Sequence, residues 1–178
     1  MNITPAALEA EWNRNLQQRK RRTIRDVTAA EVVRALAAGP DDPFFALLGL
    51  KPHQLLKRKS MMRHFAPLRA FAWRQAVLYT HPAHLELFMA TLRVLAADLP
   101  GMTRPNLELL FNDLTFFNLI TDTFNEDGFI SCGLHVTQRV LGEIENRPEN
   151  LDWAVGVSQW VEEHYLNDRE VLEGMEVG

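Results

Sequence analysis

Cysteine occurs once in the 178 residues, at Cys132, which excludes an internal disulfide and any zinc site built from several thiolates. Long apolar runs are missing as well: nothing approaches the ~18–20 residues that a helix needs to cross a bilayer, so no membrane span is expected. The start, MNITPAALEAEWNRN, lacks the charged opening and apolar stretch of a secretory signal, and the resulting expectation is a cytoplasmic protein. No G-x-S-x-G, Walker or dinucleotide-binding glycine pattern is found, so no cofactor is implied. Internal repeats and low-complexity segments are lacking, and the apolar–polar alternation of strands is scarce.

Apolar residues make up 47% and charged residues 24%, ordinary values for a globular domain able to bury a sizeable core. The net charge of −4 conceals an uneven layout. Residues 1–75 carry 14 Lys/Arg against 6 Asp/Glu, a balance of +8, whereas residues 76–178 carry 5 against 17, a balance of −12. Such a division suggests a basic N-terminal region (1–66) followed by an acidic bundle (67–178), within two units or one continuous domain. It implies either an anionic partner for the basic part or charge complementarity within the molecule or between copies.

Helix punctuation recurs along the chain. Thr4-Pro5 supplies a cap and a proline at the first helical position. Thr28 and Glu31 form a capping box, and Gly39-Pro40 ends the helix that follows. Further starts are expected at Asp42-Pro43, Pro52, Pro67, His81-Pro82, Pro105 and Asn150. Leu85, Phe88, Leu92 and Leu95 recur at helical spacing, and Trp153, Val157, Trp160 and Val161 share one face. In 105–124, Leu110, Leu114 and Phe117 make one stripe, and Leu109, Phe116 and Ile120 a second. The expected fold is therefore all-α: an irregular bundle of about seven or eight helices around a central helix apolar on two sides.

The segment 123–134, TFNEDGFISCGL, carries the middle of a calcium loop, with Asn125, Asp127 and Gly128 at its third, fifth and sixth places. Its ends fail: Thr123 replaces a charged ligand, and Leu134 stands where a bidentate carboxylate is needed. Asn, Asp and Gly also make tight turns, and a helix stop is the preferred reading, with no metal. His81 and His84 have a spacing that two ligands to one metal could share, but no third donor accompanies them. Cys132 and His135 could pair as thiolate and imidazolium, although a lone cysteine beside isoleucine is more often a small buried hydrophobe. Asp113, Asn112 and Asn118 fall on an apolar helix, where structural hydrogen bonding accounts for them. No residue is assigned a catalytic role.

The broader signal is basic. Arg19, Lys20, Arg21 and Arg22 form one cluster, and Lys57, Arg58, Lys59 and Arg63 a second. Clustered cations bind nucleic acid by displacing counterions from phosphates. The second cluster lies in 42–60, where a short apolar helix, a glycine and a new helix follow the order of a helix-turn-helix. In that layout Leu50 and Leu55 pack inward, while His53, Gln54, Lys57 and Arg58 face the duplex. Phe71 and Trp73 are core residues rather than stacking platforms. The expected function is a non-catalytic binding protein whose eight clustered cations touch nucleic acid or another polyanion. The alternative is a protein–protein adaptor or accessory subunit that docks on an acidic protein or on a further copy of itself.

Overall fold

One long helix, Leu55–Thr80, runs through the middle of the molecule, and the others pack around it. The computed structural model describes residues 42–123, 128–141 and 149–175, together with 34, 39 and 40. They form α1 (Asp42–Leu47), α2 (Leu55–Thr80), a 3₁₀ turn (Pro82–His84), α3 (Leu85–Ala97), α4 (Arg104–Thr123), α5 (Gly128–Leu141) and α6 (Glu149–Glu173). No strand occurs among the described residues, and the fold is all-α. The helix expected after Pro5 lies outside the described residues, as do Asn125 and Asp127, and of the helix expected after Thr28 only Arg34 is described, as helical. On either side of those two residues, α4 ends at Thr123 and α5 begins at Gly128.

Two helices expected at Pro52 and Pro67 are one. Pro52 lies in a turn, Gly49 adopts a left-handed backbone (φ 63°), and the Gln54 side chain accepts a hydrogen bond from the Lys51 amide at 3.0 Å. Helix α2 then starts at Leu55 and continues through Pro67. An interior proline removes one helical hydrogen bond and costs about 3 kcal/mol. Burial offsets this, because Met61, Phe65, Leu68, Phe71, Ala72 and Val77 of the same helix are all in the core. The sequence division at residue 66 thus falls inside a continuous helix.

The central place belongs to α2 and not to α4. In α4, Leu110, Leu114 and Phe117 are buried as expected, but Phe116 is 40% and Leu119 61% exposed. Helices α2, α3 and α5 contact α4, and its second apolar stripe is only partly covered: Leu109 and Ile120 are half-buried, and Phe116 packs on His135 of α5. Helix α6 is longer than its periodicity indicated, reaching Glu173. Asp168 is the reason: a charged residue on the inward face hides the apolar pattern, although it is buried against Arg69.

Aromatic rings tie the layers together. Phe44 of α1 and Phe65 of α2 meet Trp160 of α6 at centroid distances of 4.9 and 5.5 Å. Phe71 meets Phe117 at 5.7 Å and Phe129 at 6.2 Å, joining α2 to α4 and α5. Edge and tilted contacts of this kind add about 0.5–1.5 kcal/mol each beyond burial. Helices α5 and α6 approach most closely at Gly133, where a side chain would overlap the Ala154 carbonyl oxygen.

Candidate functional site

The first two turns of α2 carry an uncovered face of mixed character. Leu55 and Leu56 are 70% and 85% exposed and Met62 is 55% exposed, while Lys59 and Arg63 stand among them. At 3.6 residues per turn, Leu55, Lys59, Met62, Arg63 and Ala66 fall on one side of the helix. That side forms one wall of a half-open groove of about 540 Å³. Leu99, Pro100, Gly101 and Met102 of the α3–α4 link form the opposite wall, with Leu109 and Leu110 of α4 below. Gly101 takes a left-handed conformation (φ 80°) that turns this link, a backbone state glycine adopts without strain. No carboxylate lines the groove among the described residues, and its charged groups are Lys59 and Arg63.

The second basic cluster is therefore divided. Lys57 sits about 160° around the helix from Lys59 and lines a smaller cleft with Leu50, Gln54, Asn150 and Trp153. Arg58 is partly buried with its guanidinium 4.1 Å from the centre of the Phe45 ring. Only Lys59 and Arg63 converge. Arg19, Lys20, Arg21 and Arg22 lie outside the described residues. The helix-turn-helix layout departs from expectation at Leu55: Leu50 is buried, but Leu55 projects outward because α2 begins there rather than at Pro52. Phe71 and Trp73 are buried, as read from the sequence.

A second constellation lies between α2, α4 and α5. Asp113, 3% exposed, has one carboxylate oxygen 3.6 Å from His64 Nδ1 and the other 3.4 Å from the Arg139 guanidinium. His135 stacks on Phe116 at 4.1 Å. Its pKa is lowered, first by burial and then by the Arg139 guanidinium, against an opposing pull from Asp113. Arg139 bridges outward to solvent while His64 and Asp113 remain inside. The group is a polar cluster centred on the buried Asp113 carboxylate. His64 was not singled out in the sequence, since nothing local distinguishes it; Asp113 was visible as a charge on an apolar helix.

Cys132, His81, His84 and His135 do not form one site. Cys132 is fully buried, and burial pushes its thiol up to about 12, far from a reactive thiolate. His81 and His84 lie at the far end of α2, edge to face at 6.3 Å. His81 follows α2 seventeen positions after His64, about 25 Å along the helix axis. Burial, then the neighbouring His84, lowers the His81 pKa. The Thr80 hydroxyl lies 2.8 Å from the Ala76 carbonyl oxygen and 2.8 Å from His81 Nδ1. No cluster of three or more His, Cys, Asp or Glu suited to a metal occurs among the described residues. No helix among them is long and apolar enough to cross a membrane.

Comparison of the chain with protein-family models, curated proteins and solved structures finds no match.

Proposed function

We propose that this protein is a non-catalytic helical docking protein, an adaptor or accessory subunit that receives an anionic protein partner in the α2 groove. The observation that supports this reading is the composition of the groove: an apolar floor and walls with Lys59 and Arg63 as its charged members. Two leucines standing 70% and 85% exposed beside these cations suit a protein surface better than a phosphate backbone. Lysine and arginine stems lie along apolar surface while their charges select an acidic partner. The cytoplasm is the compartment in this reading, in keeping with a single unpaired cysteine.

A second reading has the basic region contacting nucleic acid or another polyanion through Arg19, Lys20, Arg21, Arg22, Lys57, Arg58, Lys59 and Arg63. The charge balance of +8 over residues 1–75 favours it. One comparison separates the two: co-precipitation from nuclease-treated lysate with the wild-type protein and with the K59E/R63E variant. The docking reading expects specific proteins to be retained after nuclease and lost on charge reversal. Loss of all partners with nuclease, together with salt-sensitive binding to purified DNA or RNA, would support the polyanion reading instead.

A further inference from the structure

The outer face of α6 has the character that the α2 groove lacks. Leu151, Val155 and Leu166 are exposed by 47%, 38% and 50%, and on the same side of this helix stand Asp152, Glu162, Glu163 and Glu170, all exposed. It is an apolar–acidic stripe, whereas Leu55, Leu56, Lys59, Met62 and Arg63 make an apolar–basic one. Neither stripe is covered among the described residues, and both lie on helices, so each presents regularly spaced side chains.

The two faces cannot meet within one molecule. Phe65 and Arg69 hold α6 against one side of α2 through Trp160 and Asp168, and the outer stripe of α6 points away from that contact. Lys59, Met62, Arg63 and Ala66 face the α3–α4 link on another side of α2. From this complementarity we infer that the chain binds a second copy of itself head to tail, the acidic α6 stripe of one copy seated in the basic α2 groove of the next. Leu166 occupies the apolar part of the groove, and Glu162 and Glu163 meet Lys59 and Arg63 at its rim. The two surfaces differ, so the contact is heterologous. Such contacts propagate into rings or chains rather than stopping at a two-fold dimer. This inference rests on the docking reading above and names the partner for the same groove.

The test is sedimentation velocity of the full chain after nuclease treatment, over a range of concentrations at about 0.05 M and about 1 M salt. The expected result is a mass that rises beyond a dimer with concentration at low salt and falls at high salt. K59E/R63E and E162K/E163K should each be monomeric over the same range, with the dissociation constant raised about tenfold or more. Mixed together they should associate again, because each reversed face then meets an opposite charge. K57E serves as the control and should behave as the wild type, since Lys57 faces away from the groove. Circular dichroism verifies that these surface variants are folded. A wild-type chain that stays monomeric, or variants that do not complement on mixing, overturns self-docking. If the wild type is monomeric but K59E/R63E still loses a lysate protein, the docking reading stands without this inference. If charge reversal changes neither, both fall.

Discussion

Arg69 on α2 and Asp168 on α6 face each other across 99 positions of sequence, both buried, and are joined by two hydrogen bonds, one of them 2.7 Å. The guanidinium also lies 5.2 Å from the Trp73 ring. Two parallel bonds between a planar cation and a carboxylate set the rotation of α6 against α2, the same packing that points the acidic stripe outward. The pair is a constraint on geometry more than a source of stability, because desolvating both charges offsets much of their attraction.

Removing Asp168 takes the carboxylate from a buried guanidinium, and removing Arg69 takes the two-bond partner from a buried carboxylate. Arg69→Met or Asp168→Leu should each destabilise the fold by about 3–5 kcal/mol in urea denaturation. The double variant should lose less than the sum of the two. Additive losses would show that the two side chains are not coupled.

Gly133→Ala should destabilise by about 1–3 kcal/mol, since overpacking a close helix crossing forces the backbones apart. Its new methyl overlaps the Ala154 carbonyl oxygen and comes within 3.2 Å of the Ser158 nitrogen, both main-chain atoms. Ala154→Gly should therefore fail to rescue it. An unchanged denaturation midpoint for Gly133→Ala would mean that the crossing is looser than described.

His81 and His135 both have pKa values lowered from 6.5 in the folded protein, chiefly by burial. The unfolded chain then binds more protons than the folded one below that value. Their stabilising contribution is present above pH 6.5 and is lost as pH falls through the folded pKa values. His135→Gln should flatten the acid side of a plot of stability against pH, and adding His81→Gln should flatten it further. A profile unchanged in both variants would contradict the neutral state of these imidazoles.

Cys132 should resist a thiol reagent in the folded protein and react at one equivalent per chain in guanidinium. At pH 8 a thiol with a pKa near 12 is ionised on the order of one part in ten thousand. Rapid labelling of the native chain would place the thiol at the surface.

Much of the helical layout was legible because its signals are local. Asp42-Pro43, His81-Pro82 and Pro105 lie at or beside helix starts, and Phe88 and Leu92 are buried at the expected spacing. Pro67 misled because a proline reads as a helix start unless buried neighbours on both sides sustain the helix through it. The extent of α6 was hidden for a similar reason: Asp168 looks like a solvent residue until Arg69 is seen opposite. The basic cluster was legible as composition but not as a surface. Adjacent cations point in different directions on a helix, and Arg58 is drawn onto Phe45.

The sequence by itself determined an all-helical chain, the positions of most turns, a single cysteine and a separation of basic from acidic charge. These follow from residues acting on neighbours a few positions away. Tertiary structure alone decided that Lys59 and Arg63, but not Lys57 or Arg58, share a groove with Met102 and Leu109. It also decided that His64 meets Asp113, and that the acidic side of α6 is turned outward. Convergence of this kind depends on where α2 begins, which side chains it buries, and how α6 is held on it. No local pattern encodes those distances.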